Sequence, residues 1–170
     1  MTFSRTRPPK SADERTQLLG WLDMQRALIP WKCEGLSDED AHRPVLPSSP
    51  LMTMAGLVSH LRWVEHAWFE VILLGGPADS PQFDQDAPED ADMQVEGVPL
   101  AQLLEEYERQ CVRSNEIIAD HALADVSRHP EFARDATLRW ILFHMVEETA
   151  RHAGHADAIR ELLDGERGYY

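Results

Sequence analysis

The sequence contains little cysteine and no long apolar run. Its two cysteines, Cys33 and Cys111, lie far apart and form no CxxC pair, which argues against a disulfide framework and indicates reduced, isolated thiols. No segment approaches the roughly 18 consecutive apolar residues of a membrane span, and no apolar signal segment follows the basic residues 1–10. We therefore expect a cytoplasmic protein without a membrane partner, with residues 1–10 as a disordered leader.

Lysine is also scarce, and the charge balance is strongly acidic. Two lysines and fourteen arginines stand against 30 aspartates and glutamates, which leaves a formal charge of −14. A surface of this charge repels phosphate backbones, so nucleic acid is not expected as a partner. The length of 170 residues and the 43% hydrophobic content suit one compact domain. We expect that domain to span residues 11–165, followed by a tail of residues 166–170.

No segment alternates apolar and polar residues with a period of two, and no glycine-rich phosphate loop is present. Apolar residues instead recur at steps of three and four, which predicts an all-α protein. The first predicted helix spans residues 11–34, with Ser11 as its N-cap, Glu14 completing a capping box, and Pro30 kinking or ending the helix. A short helix is predicted at residues 37–41.

Three further helices complete the predicted architecture. Their predicted spans are residues 51–74, 100–122 and 135–165. Residues 75–99 carry seven acidic residues and several prolines, which predicts a long acidic loop between the second and third long helices. Four long amphipathic helices in one domain favour a four-helix bundle, a fold that builds cofactor and metal sites from inward side chains.

His60 lies within the apolar stripe of the second helix, between Leu57 and Val64. Taken alone, such a residue is more often a core histidine whose ring nitrogens bond to a backbone or hydroxyl group. The other interpretation, a metal ligand, needs partners from elsewhere in the fold.

The fourth helix carries such partners in the string HMVEETARHAGH. His144, Glu148 and His152 follow one another at four-residue steps, and each step rises about 6 Å along one face of a helix. Glu148 and His152 can therefore bind one ion, whereas His144 and His152 lie about 12 Å apart, too far to share it. Glu148 also falls on an apolar face, where a carboxylate needs a cation or hydrogen-bond donors. An ion pair with His152 or with an arginine is the alternative to a metal.

Two histidines and one carboxylate form a ligand set with known chemistry. With His60, Glu148 and His152 as ligands, a tetrahedral ion keeps one position open, as catalytic zinc does. Such an ion can lower the pKa of bound water or hold a thiol as its thiolate. The same set also holds non-haem iron. We expect a divalent metal, with zinc as the first choice and nickel, manganese or iron as alternatives, and His144 as the candidate catalytic residue.

Other residues near these positions have weaker predicted roles. Four polar residues flank the ligands on the fourth helix, and solvated positions are favoured for them over contacts with ligands or substrate: Glu147, Arg151, His155 and Asp157. Three tryptophans are predicted to lie in the core rather than to form a substrate platform: Trp63, Trp68 and Trp140.

Three stretches of the chain resemble the DinB superfamily of four-helix metal proteins, in particular its actinobacterial branch. They are SPLMTMAGLVSHLRWVEHAWF, HMVEETARHAGHADAIRELLDG and GLSDEDAHRP, and the resemblance covers residues 11–165. It implies a metal held by a histidine from helix two and two ligands four residues apart on helix four, which map to His60, Glu148 and His152. Many members carry histidine where this chain has Glu148. A glutamate there resembles the mycothiol-dependent members, including maleylpyruvate isomerase.

The resemblance implies a low-molecular-weight-thiol S-transferase or a thiol-dependent isomerase in which the metal activates the thiol. Mycothiol is the implied thiol cofactor, an electrophilic small molecule is the implied partner, and the 75–99 loop helps to enclose it. Two alternatives stay open. One is a non-enzymatic stress-response or interaction module with a structural metal, and the other is a hydrolase that uses metal-bound water with His144 as its base. A homodimer is a further option, since bundles with exposed apolar faces often pair.

Overall fold

The computed structural model describes residues 5–168, and their regular structure is helical. The α-helices in this range are α1 (Glu14–Cys33), α2 (Asp38–His42), α3 (Met54–His66), α4 (Leu100–Ala119) and α5 (Leu138–Asp164). The described part of the chain contains no strand beyond one isolated β-bridge between Val126 and Thr137. The all-α prediction is therefore confirmed. Residues 1–4 of the predicted leader and residues 169–170 of the predicted tail lie outside the described range.

The N-terminus of α1 differs from its prediction. Asp13, not Ser11, is the N-cap, and its carboxylate accepts a hydrogen bond from the backbone N–H of Thr16. An aspartate next to the first helical residue satisfies a free N–H at least as well as a serine two residues earlier. Pro30 does not end the helix, which continues to Cys33. Because Pro30 lies in the last turn, its missing N–H removes one bond near an end that is already short of partners.

The second predicted helix consists of two pieces. Its N-cap is Thr53, whose hydroxyl accepts from the backbone N–H of Gly56, so α3 begins later than the prediction at residue 51. After α3 the chain continues as a π-helical segment, Ala67–Leu73. Gly75 then adopts a φ of +69°, a left-handed conformation that favours glycine, and the helix ends there as predicted.

The ends of α5 follow from its sequence. The hydroxyl of Thr137 accepts a hydrogen bond from the backbone N–H of Trp140, and Gly165 closes the helix with a φ of +81°. This helix therefore carries both the predicted ligand pair, Glu148 and His152, and apolar residues that are buried in the core. The third predicted helix ends a little earlier than expected, since α4 stops at Ala119.

The interior is built where the long helices meet. α1 packs against α5, and α3 packs against both α4 and α5. Leu57 and Tyr107 belong to one buried apolar cluster, and Phe69 and Ile141 belong to a second one around the π-helical segment and the first half of α5. Within residues 5–168, no helix combines the length and the apolar character that crossing a membrane requires.

A buried ion pair links three of these helices. The Nε and Nη2 atoms of Arg26 on α1 each donate to one carboxylate oxygen of Glu65 on α3, at 2.7 Å. Its Nη1 donates to the side-chain oxygen of Asn115 on α4, also at 2.7 Å. Both charged side chains are fully buried. Burial opposes the charge on Arg26, but Glu65 holds the pKa of the guanidinium above its ordinary value.

Both cysteines are free and buried, as predicted. Cys33 on α1 is 4% exposed and Cys111 on α4 is 0% exposed. Burial raises the pKa of the Cys33 thiol to about 12 and that of Cys111 well above its ordinary value. Neither thiol therefore has the exposed, ionised character of a nucleophile.

Residues 75–99 are more ordered than an irregular acidic loop. Two 3-10 turns, Pro81–Phe83 and Ala91–Met93, interrupt the segment, and the second of them packs against α3. Asp92 and Met93 are buried there. The segment predicted as a long acidic loop thus contains two short turns, and Asp92 in the second of them contacts His60.

Candidate metal centre

Three side chains from two helices meet between α3 and α5. His60 comes from α3, and Glu148 and His152 come from neighbouring turns of α5. The Oε1 atom of Glu148 lies 3.1 Å from His152 Nε2 and 3.4 Å from His60 Nε2. One ligand atom from each residue lies within 4.8 Å of the other two. These three residues are called the candidate metal centre below.

The spacing of these atoms fits a metal ligand set. Atoms that bind one tetrahedral ion at about 2.0–2.2 Å are separated from one another by roughly 3.3–3.5 Å. The two distances from Glu148 Oε1 fall close to that range. Two imidazoles and one carboxylate also match the donor types that divalent zinc prefers. The candidate metal centre could therefore hold a divalent ion with little rearrangement.

The side chains of the candidate metal centre are largely withdrawn from water and electrostatically coupled. Burial opposes a charge on His60, but hydrogen bonds to Asp92 and Glu148 prevail and raise the pKa of His60 to about 9. Hydrogen bonds from His152 and His60 lower the pKa of Glu148 well below its usual range. Glu148 is thus a carboxylate at neutral pH, and a metal ion would have to displace a proton from His60.

Asp92 contacts the candidate metal centre, and the sequence did not predict it. Its Oδ2 atom accepts a hydrogen bond from His60 Nδ1 at 2.7 Å and another from Gln82 Nε2 at 2.7 Å. The Ser59 hydroxyl donates to the backbone carbonyl of Asp92, which fixes the turn against α3. With Nδ1 committed to Asp92, the Nε2 atom of His60 is the one that faces Glu148. A carboxylate behind a ligand histidine fixes the ring and strengthens it as a metal ligand.

Replacing Asp92 with alanine is expected to weaken metal binding by about 10- to 100-fold, because His60 loses the partner that orients its ring. Competition with a chromophoric chelator measures this change. Asp86→Ala is the matched control, since Asp86 is an exposed aspartate in the same segment. An Asp92→Ala protein with unchanged metal affinity would show that the hydrogen bond to His60 plays no part in binding.

Of the four polar residues that flank the ligands on α5, three lie beside the candidate metal centre, and the fourth contacts α1. Arg151 forms an ion pair with Glu147 and lies 3.5 Å from Glu148, and His155 Nδ1 lies 3.4 Å from His152 Nδ1. Burial and the positive charges of His152 and Arg151 lower the pKa of His155. Asp157 instead pairs with Lys32 on α1 at 2.5 Å.

His144 lies outside the candidate metal centre, one turn before Glu148 on α5. Its Nδ1 atom is 3.8 Å from the nearer carboxylate oxygen of Glu147, and its ring packs against Trp68 and Trp140. The prediction that Trp140 lies in the core is wrong, because that side chain is 52% exposed. Trp140 contacts the rings of Trp68 and His144, but these contacts leave about half of its side chain exposed.

A family comparison identifies the broader relationship. The family model described as mycothiol S-transferase matches residues 17–165, which include His60, Glu148 and His152. The chain belongs to the mycothiol S-transferase family. This family is part of the DinB-like superfamily, so the resemblance seen in the sequence is confirmed. Searches of curated proteins and of solved structures gave no match.

Membership of the mycothiol S-transferase family points to a transferase-type enzyme that acts on a small-molecule thiol. A thiol reacts mainly as its thiolate, and a bound divalent cation is one group that stabilises a thiolate at neutral pH. In the described residues, the candidate metal centre is the one group of histidine, cysteine and carboxylate side chains arranged to hold an ion.

Proposed function

We propose that this protein is a divalent-metal-dependent S-transferase that joins mycothiol to a small electrophile. The observation that carries the proposal is the convergence of His60, Glu148 and His152, whose ligand atoms lie within 4.8 Å of one another. The family match supports the thiol chemistry. We propose zinc as the ion, because two imidazoles and a carboxylate with one open position are typical of catalytic zinc.

The proposed roles of the residues follow from their contacts. A bound divalent ion supplies positive charge that favours the thiolate form of a thiol at neutral pH. His60, Glu148 and His152 would hold that ion and leave one position for the sulfur. Asp92 keeps the ring of His60 oriented through its 2.7 Å hydrogen bond. In the transfer itself, the sulfur forms a bond to an electrophilic carbon, the leaving group departs with its electron pair, and the thiol proton passes to solvent.

The fold, the cellular location and the partners of the protein belong to the same proposal. We propose that α1, α3 with its π-helical continuation, α4 and α5 form a DinB-like four-helix bundle in which the metal ligands face inward. We also propose a cytoplasmic location, where mycothiol would be the available thiol, and no role in binding nucleic acid, because the formal charge is −14.

A direct assay tests the activity. Protein purified without a histidine tag would be analysed for metal, loaded with zinc, and mixed with mycothiol and chlorobimane. We expect fluorescent conjugate to form faster than in the zinc-free sample, and to depend on mycothiol rather than on glutathione. Zinc-loaded protein that consumes no thiol above background would contradict the proposal. Cleavage of an ester probe without thiol would instead support a hydrolase.

Chelation is expected to abolish the activity while leaving the helices intact. α3 and α5 already pack through apolar side chains such as Leu57 and Ile159, so the ion is not needed to hold them together. Far-ultraviolet circular dichroism of dipicolinate-treated protein would test this, with re-addition of zinc as the control for reversibility. Loss of helical signal together with the metal would favour the alternative of a non-enzymatic module that uses the ion structurally.

A further inference from the structure

A group of aromatic side chains lies next to the candidate metal centre, where the π-helical segment meets α5. The ring of Trp68 lies 4.5 Å from that of His144, 5.5 Å from Trp140 and 6.0 Å from Phe132. The rings of Trp140 and His144 are stacked. Phe83, from the first 3-10 turn, approaches Phe132 edge to face. These five residues are called the aromatic cluster below.

The aromatic cluster lies at the surface of the protein rather than in its core. Phe132 is 51% exposed and Trp140 is 52% exposed, whereas the core ring of Phe69 is 0% exposed. On its other side, Trp140 lines a cavity of about 330 Å³ together with residues 133–136. Contiguous exposed aromatic surface of this kind is typical of binding sites.

The backbone holds these rings in place. Trp68 belongs to the π-helical segment, a rare conformation that is frequent at functional sites. The last turn of that segment is tied to the chain before Phe132, because the backbone N–H groups of Arg128 and His129 donate to the carbonyl of Ile72 at 3.2 and 3.1 Å. The backbone that carries Trp68 is thus joined to the loop that carries Phe132 before a ligand binds, which reduces the entropic cost of binding.

Two structural connections join the aromatic cluster to the candidate metal centre. Along α5, His144 lies one turn, about 6 Å, before Glu148. Through the loop, Phe83 directly follows Gln82, whose amide donates to Asp92, and Asp92 in turn accepts from His60. The aromatic cluster and the candidate metal centre are therefore neighbours both along α5 and along the 75–99 segment.

We propose that the aromatic cluster binds the planar body of a neutral aromatic electrophile and presents its reactive carbon to the thiol. This inference rests on the proposed S-transferase function and names its substrate class. Indole and phenyl faces favour stacking with planar rings. The formal charge of −14 disfavours an anionic substrate. With a chloroarene, a carbon–sulfur bond forms, the carbon–chlorine bond breaks, chloride leaves with the electron pair, and the thiol proton passes to solvent.

Binding can be tested without turnover. Nitrobenzene is neutral and planar and lacks a leaving group, so its titration into zinc-loaded protein would be followed by the NMR signals of the tryptophan indole N–H groups. We expect the Trp68 and Trp140 signals to move and the signal of Trp21, which is 37% exposed and outside the cluster, to stay in place. Trp140→Ala should weaken binding at least tenfold. Phe143→Ala is the matched control, since Phe143 is 56% exposed on the same helix but outside the cluster.

Kinetics then test the link to catalysis. With chlorodinitrobenzene as the electrophile, Trp140→Ala should raise KM about tenfold, whereas Phe143→Ala should leave KM unchanged. Equal effects of the two substitutions on KM, or nitrobenzene binding that Trp140→Ala does not weaken, would overturn the inference. A dimer that Trp140→Ala converts to monomer, with unchanged nitrobenzene binding, would show that the cluster is a protein interface. If no electrophile is conjugated while nitrobenzene binds as expected, the S-transferase proposal fails and the aromatic subsite stands.

Discussion

Replacing Glu148 with alanine is expected to reduce metal affinity by at least about 100-fold and to abolish conjugation. Glu148 Oε1 is the atom that approaches both histidines, at 3.1 Å from His152 and 3.4 Å from His60. Without it, two imidazoles on different helices face each other with no anionic ligand to offset the charge of the ion. Metal content after gel filtration and conjugation of mycothiol to chlorobimane measure the two effects.

Glu147→Ala is the matched control for this experiment. Glu147 is the preceding residue on α5, is 51% exposed, and pairs with Arg151 on the surface. Both variants remove one carboxylate from the same turn of the same helix, so a general effect of charge would appear in each. We expect Glu147→Ala to retain its metal and its activity. Stoichiometric metal in Glu148→Ala, with the control unchanged, would contradict the assignment of Glu148 as a ligand.

Replacing Glu65 with alanine is expected to lower the free energy of unfolding by about 3–5 kcal/mol. The substitution leaves the guanidinium of Arg26 fully buried without its bidentate partner, and the remaining contacts, with Asn115 at 2.7 Å and with Asp23 at 3.2 Å, both involve Nη1. Asp23 is 40% exposed and does not replace the acceptors that Nε and Nη2 lose, so the buried charge is poorly compensated. Urea denaturation followed by circular dichroism measures the change.

A surface ion pair provides the comparison for Glu65. Glu14 pairs with Arg139 at 2.8 Å, and both side chains are more than two-fifths exposed. Glu14→Ala is expected to cost no more than about 1 kcal/mol, because solvent screens such pairs. The double variant Arg26→Met with Glu65→Leu should recover much of the stability lost in Glu65→Ala, since it removes the unpaired charge as well. A small effect of Glu65→Ala alone would show that Arg26 finds water or another partner.

Much of the candidate metal centre could be predicted from local spacing. A four-residue step places Glu148 and His152 on one helix face whatever the rest of the fold does, and Thr137 and Gly165 mark the ends of that helix. Local spacing alone could not identify His60 as a ligand, because its position opposite Glu148 depends on how α3 packs against α5. The resemblance to the DinB superfamily supplied that relation, and the coordinates place the three side chains together.

The residues that escaped prediction depend on tertiary contacts. Asp92 is one of seven acidic residues in a segment without periodicity, and nothing in its local sequence distinguishes the one carboxylate that is buried against His60. Arg26 and Glu65 lie on different helices, and the sequence of neither helix by itself indicates that the two residues pair. Trp140 lies on a helix with an apolar period, yet its exposure depends on how much of its ring the π-helical segment covers. Each of these features depends on which surfaces meet.

The deep placement of both thiols matters for a protein that would work among reactive electrophiles. Burial raises the pKa of both Cys33 and Cys111, and packed side chains shield the two thiols, so an alkylating substrate would meet no competing cysteine thiol on the protein. Mixed disulfides with the cellular thiol pool are disfavoured for the same reason. Under the proposed function, the cysteines of the protein would therefore not be consumed by the electrophile during turnover.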